Sequence, residues 1–255
     1  MDINEQRRLD RLLLSIEKPF ARKIYSEKNR FIRQLYNEYL TYGTIEHVEF
    51  FSEHKTNMFN IAQVYYEKAV RVFGEQADIG TRSTSINFQL RQVEKEGFES
   101  FWKLLTMQYI SEFGAKEITR ISDTTKVDIR RAIIAGQAED LGRSGIAEKI
   151  LATRALSSFR AKTIAATETH NAAMFSNIET TRKLADDFEV ETLKEWIPAE
   201  DERVREWHSV MRSKPAIPID EKFIVNGRPM DRPGDPNGGA SNVINCRCVL
   251  GYKAV

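Results

Sequence analysis

The sequence predicts an α+β protein, with a predominantly helical N-terminal region over residues 1–157 and a small mixed α/β C-terminal domain over 158–255. Three observations carry this reading. Of seven prolines, six (Pro198, Pro215, Pro218, Pro229, Pro233 and Pro236) crowd into one short segment, and residues 20–197 contain none. Proline breaks helix interiors and keeps its preceding residue out of the helical region, so a long proline-free stretch reads as helix. Within that stretch apolar residues recur three and four apart, as in Phe31, Leu35, Ile61, Val64, Tyr65 and in Phe98, Trp102, Leu105, Tyr109, Phe113, the spacing of one helix face. After residue 186 the pattern turns short and alternating.

Stop and start signals divide the helical region. They are Gly43 with Thr44, Gly80 to Ser85, Gly97, Asp123 to Thr125, and Gly142 to Gly145, with Thr125 and Asp128 spaced as a capping box. They predict six to eight helices up to about residue 186, the last running from Ser158 to Ala185. Beyond it, Phe188, Val190, Leu193 and Trp196 predict a strand, and Pro198 to Asp201 a turn. A short helix over 201–211 should follow, with Asp201 as its N-cap, where a carboxylate accepts backbone N–H groups and meets the positive end of the helix dipole. Lys222 to Val225 reads as a strand running into the turn Asn226-Gly227, and Cys246 to Tyr252 as another. No fixed-period repeat is found.

Composition narrows the function classes. The 255 residues carry 38 Lys and Arg against 37 Asp and Glu, a net charge of +1, which excludes the global field of a polyanion-coating protein. Apolar residues at 41% with charged residues at 29% argue against disorder. The N-terminus lacks the pattern of a secretory signal, which implies synthesis in a cytoplasm. No stretch reaches the 18 apolar residues that would predict membrane insertion. Charge is uneven, however: residues 1–33 hold nine Lys or Arg against five acids, whereas 186–255 hold ten against thirteen. Arg7, Arg8, Arg11, Arg22 and Lys23 are therefore nucleic-acid candidates, the other reading being a solvated helix face.

Four histidines and two cysteines are the whole supply of soft or switchable side chains. His47 and His54 lie seven apart on a helical segment near Phe50 and Phe51 and read as helix-interface histidines. His170 shares a helix face with Thr163 and Thr167, with Glu168 turned away. His208 with Cys246 and Cys248 is the one combination that could bind a metal, because alternation along a strand puts both sulfurs on one face. Two thiolates and an imidazole form a zinc-like set, for which Asp201 or His170 could supply the fourth ligand. The other reading is a pair of buried thiols packed as small hydrophobes; a disulfide between residues two apart would be strained. No dinucleotide-binding glycine fingerprint, phosphate loop, nucleophile elbow or H-E-x-x-H stands in the chain. No catalytic residues are assigned, and the chain is expected not to be an enzyme; the rival is a metal-dependent hydrolase or nuclease at the His/Cys/Cys set.

A train of short motifs runs through the second part: Lys162-Thr-Ile-Ala-Ala-Thr-Glu168-Thr169-His-Asn171, then Trp196, Asp201-Glu-Arg203-Val-Arg205-Glu-Trp-His208, Phe223, Asn226-Gly227, and finally Asn242-Val-Ile-Asn245-Cys246-Arg247-Cys248. In order and spacing it resembles the phage Mu protein F-like, or SPP1-type, head morphogenesis proteins, over about residues 158–252. Ala166 stands where that family often has arginine, and Arg212 where it often has glycine. The resemblance implies a minor capsid protein made in the bacterial host cytoplasm, which binds at or near the portal vertex, stays in the virion and influences DNA packaging or ejection. The portal protein is the implied partner, with the major capsid or scaffolding protein and packaged DNA as further candidates. Thr167, Glu168, Trp196, Asp201, Arg203, Arg205, His208, Asn245 and Arg247 are the motif and interaction candidates. No cofactor is expected beyond the zinc ion that the His/Cys/Cys set could hold.

Overall fold

Leu13, Ile16, Phe20, Ile24, Phe31, Leu35 and Tyr39 recur at helical spacing and are all buried, which makes them the inner face of the first helix, α1 (Ile3–Tyr42). Pro19 lies inside it, and it ends where Gly43 takes a left-handed φ of 76° and donates its N–H to the Tyr39 carbonyl at 2.8 Å. The computed structural model describes residues 3–45, 48–83, 95–153 and 157–255; His47 lies outside them, as do Thr84 and Ser85 of one expected stop signal. Five further α-helices follow among the described residues before the sheet: α2 (Val48–Ser83), α3 (Lys95–Tyr109), α4 (Ala115–Ala138), α5 (Arg143–Leu151) and α6 (Ser158–Asp187). The architecture is α+β, a helical N-terminal region with a small antiparallel sheet near the C-terminus.

Three details of the helical region differ from the sequence expectation. Thr125 does not start a helix; it is buried within α4 and its hydroxyl donates to the Ile121 carbonyl at 2.9 Å. Val64 is 59% exposed, and the buried stripe of α2 runs instead through Met58, Ala62, Tyr65, Tyr66, Ala69, Val70 and Phe73. Between α3 and α4 a π-helical turn, Ile110–Gly114, admits an extra residue. The buried position after Tyr109 is therefore Gly114 rather than Phe113, and burial continues at Ile118, Ser122, Thr125 and Ile129.

Tertiary contacts group the chain into two compact units, one of residues 1–16, 66–110 and 166–255, the other of 17–65 and 111–165. The expected division at 157/158 marks where the motif-bearing part of the sequence begins, which is a different property. The second unit has a core of Phe31, Ile32, Leu35, Tyr39, Ile129, Ile146, Ala147 and Ile150. Beside it His54 is buried, stacked on Phe31 with ring centroids 4.1 Å apart, and its Nδ1 lies 3.0 Å from Glu27 Oε1. Glu27 also accepts two hydrogen bonds from Arg30, each 2.9 Å.

In the first unit α6 contributes an unbroken buried run from Thr167 to Ser176. A three-stranded antiparallel sheet has the order β2 (Ile217–Pro218), β1 (Thr192–Ile197), β5 (Val249–Ala254), with Trp196 opposite Leu250. A separate hairpin joins β3 (Phe223–Val225) to β4 (Arg228–Met230). Its turn residues Asn226 and Gly227 have φ of 50° and 71°, the doubly left-handed turn that matches strand twist. The core gathers Ile178, Trp196, Met211, Phe223, Val225, Met230, Cys246, Cys248 and Leu250.

Boundaries moved here for local reasons. The strand expected from Phe188 begins at Thr192, because α6 runs to Asp187 and Glu189 turns left-handed at φ 51°. The expected helix 201–211 is reduced to α7 (Glu206–Ser209) and a 3₁₀ turn, Val210–Ser213. Its N-cap position is Arg205, not Asp201; Asp201 instead closes an Asx-type turn on the Arg203 N–H at 2.9 Å. The last strand starts at Val249, so the cysteines precede it. Asn245 is left-handed at φ 54° and gives its N–H to Thr167 Oγ1 at 3.1 Å, which holds this stretch off the ladder.

Candidate metal centre

Two segments supply the ligand atoms of the centre. Helix α7 projects His208 inward, and the stretch between Asn245 and β5 turns Cys246 and Cys248 to the same side, all three buried. His208 Nδ1 lies 3.8 Å from Cys246 Sγ and 3.4 Å from Cys248 Sγ, and the three donor atoms fall within 4.8 Å of one another. A tetrahedral zinc with ordinary Zn–S and Zn–N bonds separates a sulfur from a nitrogen by about 3.6 Å, so the two distances bracket that edge. Trp196 closes the site, its ring edge-on to His208 at 5.4 Å. His208, Cys246 and Cys248 can therefore hold a metal ion.

The two thiols share their proton unequally. The Cys246 S–H donates to Cys248 and holds the Cys248 thiol well below its usual range, against burial, with His208 as a second donor. Cys246 is pushed up by the same bond and by burial.

His170 and Asp201 do not join the set. The ring of His170 is buried in α6, and its Nε2–H donates to the Cys248 carbonyl at 2.8 Å; burial keeps it neutral by lowering its pKa. Asp201 is exposed and accepts both terminal guanidinium nitrogens of Arg247, one at 2.8 Å, which with the Arg203 N–H lowers its carboxyl pKa. The other candidates serve as struts. Thr167 accepts from Asn245, and the buried carboxylate of Glu168 accepts the Tyr66 hydroxyl at 2.7 Å. Trp196 is core, packed edge-on against Phe223 as well. Arg205 reaches the Ile244 carbonyl at 2.5 Å, and Arg203 is exposed. Arg7, Arg8, Arg11, Arg22 and Lys23 are all exposed on α1.

Sequence reasoning missed two supports. The Asn171 amide nitrogen, oriented by its neighbours, donates to the Thr167 carbonyl at 3.1 Å and to the Gly234 carbonyl at 3.0 Å. Lys194, fully buried on β1, donates to Asp231 Oδ1 at 2.7 Å, and Arg182 donates to the same oxygen at 2.8 Å. Burial lowers the Lys194 pKa; it also pushes the Asp231 carboxyl up, but hydrogen bonds from Arg182 and Lys194 more than reverse this. The one local signal of Lys194 burial is its two-residue spacing from Trp196, which puts both on the same face of β1.

No family model, curated protein or solved structure matches the chain. No helix among the described residues is long and apolar enough to cross a membrane.

Proposed function

We propose that the chain is a phage minor head protein of the Mu protein F-like kind, a binding protein rather than an enzyme, placed at the portal vertex and retained in the virion, and that His208, Cys246 and Cys248 hold a structural zinc ion in it. The observation that supports the reading is that the two ends of the motif train meet. Thr167 takes the Asn245 N–H, His170 holds the Cys248 carbonyl, Asp201 pairs with Arg247, and His208 faces both sulfurs. The train thus forms one connected scaffold. Zinc is the ion of choice because two thiolates and an imidazole suit it, and because the nitrogen–sulfur distances fit a tetrahedral edge. A burial this complete suits a structural ion.

The test is quantification of the chain by mass spectrometry in purified procapsids and mature particles, with cross-linking. Low-copy retention with cross-links to the portal protein is the expected result. Absence from both particles overturns the reading.

A second reading, a metal-dependent hydrolase or nuclease, draws on one observation: the set supplies three ligands, and catalytic zinc sites commonly keep the fourth position open. It requires hydrolytic turnover that is lost in Cys248→Ser. Stoichiometric metal without turnover leaves the structural role.

A further inference from the structure

Helix α1 carries a face that the metal centre and the motif train do not use. At 100° per residue, Arg7, Arg8, Arg11, Ser15, Lys18, Arg22, Ser26 and Arg33 fall within a sector of about 100°, and all eight are exposed. The buried residues Phe20, Ile24, Phe31 and Leu35 point the opposite way. Six of these eight are cations, and no acid occurs in the sector; Asp10 and Glu17 lie on its flank. Arg8, Arg11, Lys18, Arg22 and Arg33 enter no ion pair among the described residues. Lys23, also exposed, lies off this line.

We infer that this stripe binds the phosphate backbone of duplex DNA without reading its sequence. From Arg7 to Arg33 the helix rises about 39 Å, a little more than one turn of the duplex, so the cations are spread along a length over which phosphates recur. The residues between them, Ser15 and Ser26, are hydroxyl donors of the kind that bond phosphate oxygens. An acidic protein surface is a poorer fit, because protein interfaces need an apolar or aromatic centre, and the stripe has its exposed apolar residues, Tyr25 and Leu14, at one edge rather than at its centre. A lipid surface is poorer still, because a helix lying on a bilayer inserts its apolar face, and that of α1 is already buried. The net charge of only +1 makes the attraction local to this helix. The inference rests on α1 alone and stands or falls apart from the metal and the portal.

The experiment is fluorescence anisotropy of the full chain with a labelled 30-base-pair duplex of arbitrary sequence, titrated from 50 to 200 mM salt. Wild type should bind, with affinity falling linearly on a log–log plot and indifferent to sequence. The variant Arg11→Gln/Lys18→Gln/Arg22→Gln should lose about 2.7 from the magnitude of that slope, 0.9 for each phosphate contact, while Arg130→Gln/Arg131→Gln on α4, both exposed, should keep it. Far-UV circular dichroism checks that the triple variant is folded; should it not be, Lys18→Gln alone is read for a loss of about 0.9. No binding at 50 mM salt, an unchanged slope in the stripe variants, or an equal loss in the α4 variant overturns the proposal. So does binding of phosphatidylserine vesicles through the same residues without binding of DNA.

Discussion

His170 Nε2 donates to the carbonyl of Cys248 at 2.8 Å across 78 residues of sequence. The longest helix of the C-terminal part thereby fixes the backbone that carries one of the two sulfurs. His170→Ala would leave that carbonyl without its donor and open a cavity. The expected cost is about 2–4 kcal/mol, read as a lower urea midpoint with an unchanged denaturant slope. A cost within 0.5 kcal/mol of wild type would make the contact incidental.

Metal removal should be visible as a change in stability. A chelator is expected to lower the melting temperature of wild type by at least about 4 °C and to leave Cys246→Ser/Cys248→Ser unmoved at a lower temperature. Elemental analysis should find about one zinc per wild-type chain and none in the variant. A melting temperature indifferent to chelator identifies the cysteines as packed thiols.

Glycine is required at position 234 for two separate reasons. Its φ is +74°, and a Cβ there would stand 2.6 Å from the Asn171 amide and 2.8 Å from His170 Nδ1. At Gly227 φ is similar, +71°, but a Cβ would meet open space. Gly227→Ala should therefore cost about 1 kcal/mol from backbone strain alone, and Gly234→Ala about 2 kcal/mol or more beyond that. Chemical denaturation of the two variants side by side decides it; equal costs would mean that the contacts yield freely.

The fully buried Lys194 depends on one carboxylate. Asp231→Ala removes the ion-pair partner of Lys194 and one of the three carboxylates around Arg182, with an expected loss of about 3–5 kcal/mol. Lys194→Met should cost less, since Asp231 keeps Arg182 and the methionine fills the space. The reverse order of the two losses would sink this account.

Acid should weaken the second unit through Glu27. Burial raises its pKa, but hydrogen bonds from His54 and Arg30 reverse this and take it from 4.5 to about 2. A carboxyl with a depressed folded pKa contributes its stability above the unfolded value and loses it as pH falls from about 4.5 towards 2. That contribution is on the order of 3 kcal/mol. His54, its pKa lowered mainly by burial, acts in the same direction: the unfolded chain binds its proton first as pH drops below 6.5. Glu27→Gln should be less stable than wild type at pH 7 and approach it near pH 2 in urea titrations. A gap constant across that range would contradict the assignment.

How much of this was legible in the sequence varied with the range of the contacts involved. The proline distribution and the three-and-four spacing located the helices and the change of material after residue 186, because both depend on residues close in sequence. The alternation of Cys246 and Cys248 with Asn245 and Arg247 put both sulfurs on one side, as they are, although the segment is not a strand. Its shape follows from the Thr167 hydroxyl, 78 residues away, which no local pattern encodes. Asp201 looked like a helix cap for the same reason: its true partner, Arg247, is 46 residues downstream. The π-turn that displaced Phe113 and the burial of Lys194 were likewise settled by packing, which competes with periodicity and prevails where an element is buried on several sides.

The pairing of β1 with β5 imposes an order of events on the ribosome. Thr192 to Ile197 bond to residues 249–254, so the central strand emerges during synthesis with one long edge lacking its partner until the chain through Ala254 has followed. The backbone hydrogen bonds inside helices α1 to α6 span about four residues, so these helices can form as they appear, whereas the sheet and the sulfur-bearing stretch before β5 must be completed late. A pause in translation between residues 197 and 249 would therefore leave the Trp196 strand exposed, the moment at which a chaperone would have most to protect.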